Sequence, residues 1–385
     1  MSFLTTLASA FKGGGGARVP IASGFISPWA VAFDAAPRPR AFDYSRAIRD
    51  GFTGNPVAQR SVRIVAEGVG SAPLSPLDDG VAALIGATSA GQSLVETVAA
   101  HLLLHGNAFV QVMKDGAGQP VELFALRPER LKVVPGEDGW PRGYEYRIAG
   151  RTLAIPLEDD AGWPNLIHIR SFHPGDDHYG AGALAAADPA IAIHNAASEW
   201  NRALLDNAAR PSGALTYEAG DGAGLTADQY ERLKSELATA YQGQANAGRP
   251  MLLEGGLRWQ SMALSPADMD FATLKAAAAR DIALAFGVPP MLLGLPGDNT
   301  YANYREASRA LWRLTLLPLA GKILSGLAEG LTPWFPDLAL SVDLDRIPAL
   351  AEDRERLWAQ VTAADFLTPA EKREMLGLAP VGDVQ

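Results

Sequence analysis

The sequence predicts an α+β fold, and three features carry that expectation. Helix-period apolar segments precede a run of short alternating strands that extends to residue 171. Two long Ala-rich helical stretches, 188–210 and 265–286, enclose a small insert with both helical and strand patterns. A rigid Gly287-Val288-Pro289-Pro290 break then separates the second stretch from a Gly/Asn/Asp loop and a further helix.

Residues 1–54 are Gly/Pro-rich, and the run Gly13–Gly16 is expected to make this a mobile arm. No Gly-Lys-Ser/Thr follows that run, so it is not a phosphate loop. Asn55-Pro56 reads as N-cap and first helical residue, with Val57, Ile64, Val65 and Val69 on the apolar side and an end near Ser71-Ala72-Pro73. A second helix is expected over 92–105, with Leu94, Val98, Leu102 and His105 recurring every three or four residues. Alternating segments at 108–113, 121–126, 131–134, 143–148, 152–155 and 166–171 then predict a small antiparallel sheet.

The pattern turns helical again from about Pro189 to Ala209, and Pro211 ends it. Within 211–264, strands are expected at 212–218, 251–255 and 257–264. Between them Thr226 and Gln229 form a capping box for a helix carrying Tyr230, Leu233, Leu237 and Tyr241. Ser265-Pro266-Ala267-Asp268 starts a rod roughly 30 Å long, lined on one side by Phe271, Leu274, Ala278, Ile282 and Ala285. Gly287 caps it. Thr300 is the N-cap expected for the next helix, and Pro318 should kink that helix. A short strand at 338–342 and a capping box at Thr368–Glu371, with Gly377 as the stop, complete the chain.

The chain has 385 residues, 48% of them hydrophobic and 20% charged, which suits two or three packed domains. It contains no cysteine, which excludes disulfides, Cys-ligated zinc and a thiol nucleophile. Its formal charge of −10 is spread without a basic patch, so tight phosphate gripping is not expected. The N-terminus lacks a signal-peptide pattern and there is no run of 18 apolar residues, so a cytoplasmic product without a membrane span is expected.

Three constellations could carry chemistry. His101 and His105 have the spacing of a metal pair, but Leu102 stands where a His-Glu-x-x-His site needs Glu, and HLLLH also reads as a partly buried helix face. His168, His173 and His178 with Asp176 and Asp177 form a denser cluster, open to a zinc or hydrolase reading or to an ordinary polar turn. Gly180-Ala181-Gly182 resembles a dinucleotide fingerprint but follows a polar loop rather than a buried strand, which favours a tight lead-in to the helix. Gly-x4-Gly-Lys-Ser/Thr is absent, so the chain is no P-loop motor. Arg305, Arg309 and Arg313 form a stripe that serves either a solvated face or contacts with a neighbouring subunit.

The ordered series NPVAQRSVRIVAEGVGSAPL, HLLLHGNAFVQVMKDGAGQPVELFALRPERLKVV, DNAARPSGALTYE, LTADQYERLKSELATAYQGQANAGRPMLLEGGLRW, IALAFGVPPMLLGLPGDNTYANYREASRALW and FLTPAEKREMLGLAP resembles the portal proteins of long-tailed bacteriophages and gene transfer agents, over about 50–380. The resemblance implies a portal fold: an α+β wing (55–187), stem helices 188–210 and 265–286, a small α/β clip (211–264), a tunnel loop (287–300), and a return to wing and short helical crown (301–385). It implies a structural protein and not an enzyme, with no cofactor. It also implies a ring of twelve copies at one capsid vertex of a virion assembled in the bacterial cytoplasm. Expected partners are the major capsid protein, the terminase large subunit, a head–tail adaptor, and double-stranded DNA passing without sequence specificity. Met291, Leu292, Leu293, Pro296, Asp298 and Asn299 are then candidates to face DNA from the tunnel loop, and Lys275 and Arg280 from the stem. Arg305, Arg309 and Arg313 become subunit-interface candidates, and Glu218, Tyr230, Arg249, Glu254 and Trp259 candidates for clip contacts. The competing readings are a metal- or nucleotide-dependent enzyme built on the His168–His178 loop, and a capsid or tail component of another type.

Overall fold

The computed structural model describes residues 42–86, 88–89, 91–206, 213–217, 226–241, 257–261, 271–295 and 301–377, and the elements below lie within Asp43–Gln385. The first helix, α1 (Tyr44–Ala47), continues into a π-helical turn, Ile48–Thr53. Helix α2 (Pro56–Gly70) starts as its sequence dictates: the Asn55 side chain accepts from the Val57 and Ala58 amides, and Pro56 occupies the first turn. Its core face is Ala58, Ser61, Val62, Val65, Ala66 and Val69, while Val57 and Ile64 are half-buried. After α3 (Asp79–Ile85), a two-residue hairpin of β1 (Thr88–Ser89) and β2 (Gln92–Ser93) leads into α4 (Leu94–His105). Helix α4 is buried at Leu94, Val95, Val98, Ala99 and Leu102 through Leu104, a wider surface than the single face expected.

The strands form two sheets instead of one. In the first, β4 (Pro120–Leu126), β3 (Asn107–Lys114) and β8 (Leu166–Arg170) lie in the order β4-β3-β8. In the second, β5 (Leu131–Pro135), β6 (Pro141–Ile148) and β7 (Arg151–Pro156) form a meander. Both are antiparallel. Strand β3 is central and buried along most of its length, whereas β7 is largely exposed. Alternation marks each strand but does not say which strands share a sheet. A small apolar cluster of Phe109, Leu126, Leu131, Val133, Tyr144 and Leu166 joins the two sheets.

The long helix α5 (Ala183–Asp206) begins six residues before the expected start, and Pro189 lies inside it. Strand β9 (Gly213–Tyr217) pairs antiparallel with β10 (Leu257–Ser261), and α6 (Ala227–Tyr241) lies between them in sequence. The reciprocal Thr226–Gln229 cap is present, the Thr226 amide donating to Gln229 Oε1 at 2.9 Å. The expected strand at 251–255 and helix start at 265–268 lie outside the described residues.

Helix α7 (Phe271–Ala285) packs against α5 and, less extensively, α2; Ala278, Ala279, Ile282 and Ala283 are buried, as is Phe286 just beyond its end. Leu274, expected on that side, is 45% exposed, because the seam follows the 278/279/282/283/286 pattern. Helices α8 (Tyr301–Leu311) and α9 (Leu317–Leu331) are joined by a π-helical turn, Trp312–Leu316. The irregularity expected at Pro318 takes this form, since a proline cannot donate to the carbonyl four residues back. By length and composition Ala302–Leu331 is apolar enough to span a membrane. Its apolar face, however, is core: Ala320, Ile323, Leu324, Leu327 and Leu331 are buried, and Gly326 and Gly330 let β8 approach through Ile169 and Ile167.

The strand expected at 338–342 reduces to one bridge, Leu74 with Val342, flanked by backbone bonds from Ser75 to Ser341 and from Asp343 to Pro73. Helix α10 (Ala351–Ala363) and helix α11 (Pro369–Met375) end the described chain, α11 with its Thr368–Glu371 capping box in place.

Candidate functional site

The long α5–α7 pair and the loop that follows it form the candidate site. Helix α5 buries Leu184, Ala187, Ile191, His194 and Ala197, all 5% exposed or less, at spacings of three and four residues. The opposite face repeats the same spacing with Ala186, Pro189, Ile193, Ala196, Trp200 and Ala203, and these are exposed. A helix of a lone globular domain has one apolar stripe; this one has two, about 200° apart. Helix α7 is likewise closed on its inner face, and carries Thr273, Ala277, Arg280 and Leu284 at the same spacing on its outer face. Leu284 is 78% exposed.

Polar contacts fix α5 to the start of the structure. Asn55, besides capping α2, donates to Asn195 Oδ1 at 2.8 Å and lies 3.1 Å from His194 Nδ1. Asn195 donates to the Asp50 carbonyl at 2.8 Å, and Arg46 pairs with Asp188 at 2.7 Å. Burial, and then the Lys275 charge across the seam, hold the His194 pKa below its ordinary value. Lys275 is half-buried on α7, and Arg280 is exposed on its outer face.

At the end of α7 the chain is stopped by backbone chemistry. Gly287 has φ +66°, its amide donates to the Leu284 carbonyl at 3.0 Å, and the Val288 amide reaches Ala283 at 2.9 Å. This is a Schellman cap. Thr315 in the π turn donates to the Gly287 carbonyl at 2.6 Å, which fastens the base of the loop to the long helix. Pro290–Leu293 then form one 3-10 turn closed by Gly294 at φ +71°. Met291, Leu292 and Leu293 are half-buried there. Leu292 and Leu293 are partly buried against the main core, which holds the base of this turn to the chain. Pro296, Asp298 and Asn299 lie outside the described residues.

Of the arginine stripe, Arg305 and Arg309 are held within the chain by Glu352 of α10, at 2.6 and 2.9 Å, and Arg309 is also 3.5 Å from Asp353. Arg313 is exposed on the π turn. In the insert, Tyr230 is 58% exposed on α6, and the Trp259 backbone pairs with Leu215. Glu218, Arg249 and Glu254 lie outside the described residues.

The histidines serve the fold. The His168 ring stacks on Phe109 at 4.2 Å, burial pushes its pKa down to about 4, and its Nε2–H donates to Asn107 Oδ1 at 3.1 Å. The same Asn107 oxygen accepts from the Gly180 amide at 2.8 Å. His105 packs edge-on against Tyr44, ring centroids 4.8 Å apart. His173 and the Asp176 carboxylate are occupied by neighbouring backbone amides, as in an ordinary turn. Among the described residues no group of three or more His, Asp or Glu side chains is arranged to hold a metal ion. The Gly180–Gly182 segment lies directly against the backbone of Gly106, where a Cβ on Gly180 would sit 2.2 Å from the Gly106 carbonyl oxygen. These glycines permit a close backbone crossing, which accounts for them without a dinucleotide.

The outer stripes of α5 and α7 were missed in the sequence. The signal was there as a second three-four repeat in 186–203, hidden by the alanines that fill both repeats.

Comparison with known proteins gives these surfaces a context. The pattern of the phage portal protein family matches residues 56–377. An uncharacterised protein of Rickettsia bellii (strain RML369-C) is 36% identical over 363 residues, covering 89% of this chain and 92% of its own. A chain from the neck of a native gene transfer agent particle, computed with C12 symmetry, is 49% identical with a TM-score of 0.67, covering 90% of this chain and 95% of its own. An HK97-family phage portal protein from Corynebacterium diphtheriae shares the fold at 18% identity and a TM-score of 0.55, covering 79% of this chain and 97% of its own. Proteins of this kind are structural components and not enzymes, and the histidine-loop enzyme reading falls with that. By the extent of the family match and the identity to its relatives, this chain belongs to the phage portal protein family.

Proposed function

We propose that this chain is the portal subunit of a phage or gene transfer agent particle, assembled as a ring of twelve around an axial DNA channel at one capsid vertex. The observation that carries the reading is the second apolar stripe on α5. Ile193, at 45% exposure, and Leu284, at 78%, are poorly placed in a lone chain and well placed between copies. The α5 outer face of one copy packs against the α7 outer face of the next, a head-to-tail contact of the kind that closes rings. The small residues Ala186, Ala196 and Ala203 on α5, and Ala277 on α7, allow the helices close approach. A 49%-identical relative in a neck of C12 symmetry supports twelve copies.

The remaining roles follow from the same reading. Helices α5 and α7 are the stem, β9, β10 and α6 belong to the clip, and the segment after Gly287 is the tunnel loop. A separate terminase docks and drives DNA inward; a head–tail adaptor later takes its place, while the capsid surrounds the wing. At −10 per chain, twelve copies carry about −120 formal charge, which opposes lasting adhesion to DNA. Negative-stain electron microscopy of the purified protein tests the ring: class averages should show closed rings with a central hole. Particles without a hole, or only monomers at micromolar concentration, would contradict it.

A further inference from the structure

A cleft of about 470 Å³ opens on the strand-rich part of the chain, away from the α5–α7 pair. Helix α4 supplies Leu94 and His101, seven residues apart and thus on one face, and strand β4 supplies Phe124. Arg127 and Arg130 come from the short turn after β4, and Ile148 from the end of β6. The volume is that of a site for a few side chains.

Two features of this cleft bear on what it can hold. Arg46, Arg309 and Arg354 are each held by a carboxylate, but neither Arg127 nor Arg130 has an acidic partner among the described residues. Glu129, between them in sequence, acts on Tyr44 and His105, and Arg127 acts on the same Tyr44. Two guanidinium groups thus flank one opening with no carboxylate in salt-bridge contact among the described residues, an arrangement that favours a carboxylate held by forked hydrogen bonds. The lining beside them is apolar, with Phe124 at 38% and Ile148 at 40% exposure. His101 also lines the cleft, and its Nδ1 is buried without a hydrogen-bond partner.

We propose that this cleft docks an acidic peptide segment of a partner protein, one that presents a carboxylate next to an aromatic or aliphatic side chain. The carboxylate lies between Arg127 and Arg130, and the side chain enters between Phe124, Ile148 and Leu94. Duplex DNA satisfies only half of this: its phosphates can meet the arginines, but nothing on its backbone fills the apolar lining.

Fluorescence polarisation with the full-length protein tests the assignment. The probes are a fluorescein-labelled Asp-Glu-Phe-Asp-Leu-Asp peptide, its counterpart with every acid replaced by lysine, and a labelled short DNA duplex. The acidic peptide should bind at least about tenfold tighter than the basic one, and the Arg127→Ala/Arg130→Ala variant should lose about tenfold of that affinity. Ile148→Asp, which puts a negative charge into the lining, should weaken the acidic peptide further, with thermal unfolding unchanged in both variants. Equal binding of the two peptides, or an arginine-free variant that binds as tightly as the parent, would overturn the proposal. So would duplex binding that depends on these two arginines while peptide binding does not.

Discussion

The crossing of Asn107 and Gly180 and the helix pair α5–α7 are both closely packed, yet they differ in what they leave over. At the crossing the Asn107 side chain is met inside the chain: Asn107 Oδ1 accepts from the Gly180 amide and from His168, and the Asn107 amide nitrogen lies 3.1 Å from His105 Nδ1 and 3.3 Å from the Gly180 carbonyl. Nothing there calls for a second molecule. The helix pair is closed on its inner faces and open on its outer ones, where Ile193 and Leu284 stand exposed at core-like spacing. The difference separates contacts completed within one chain from surfaces that, on the proposed reading, are completed by a second copy.

The comparison is broken most severely at the crossing. Gly180→Ala forces a Cβ to 2.2 Å from the Gly106 carbonyl oxygen and 2.6 Å from the Ser171 backbone, and backbone cannot yield as a flexible side chain can. Urea denaturation should show a loss of about 3 kcal/mol. A loss under 1 kcal/mol would mean that the crossing is looser than described.

Acid acts on the same region. His168 and His101 are held neutral, each with its pKa pushed down to about 4 by burial. The unfolded chain takes up protons near pH 6.5 and the folded chain does not, so stability is full above that pH and is lost as pH falls from 6.5 toward 4. Each histidine accounts for a loss on the order of 3 kcal/mol over that window. Stability flat from pH 7 to 4.5 would contradict the buried, neutral assignment.

A smaller change sharpens the other side. Thr315→Val removes the 2.6 Å bond to the Gly287 carbonyl, which links the α7 cap to the π turn. The expected cost is about 1 kcal/mol in thermal unfolding, with protease cleavage after Gly287 accelerated. Unchanged cleavage would show that the loop base is held by the Pro289-Pro290 break alone.

Much of the fold was legible because its signals are local. Asn55-Pro56, Thr226/Gln229, Thr368/Glu371 and the Gly287-Val288-Pro289-Pro290 stop each act within one helical turn, and each is found where the sequence puts it. The misses are non-local. Pro189 looked like a helix start, but tertiary packing of Leu184 and Ala187 extends α5 ahead of it. The two sheets share alternating patterns that do not encode which strands pair. Among the candidate channel residues, Lys275 and Leu292 are half-buried and Arg280 is exposed, a difference that only the folded chain shows. The outer stripe of α5 needs the same knowledge, since an alanine-rich helix reads as apolar on every side.

The most direct test of assembly through the outer faces is the mass of the Ile193→Asp/Leu284→Asp variant beside that of the parent protein, by light scattering on a sizing column. Twelve copies of a 40.7 kDa chain give about 490 kDa. The parent should elute at that mass. The variant should elute as a monomer with an unchanged circular dichroism spectrum and urea midpoint, because both side chains are exposed in the single chain. A variant that forms rings of the parent's mass would contradict the account.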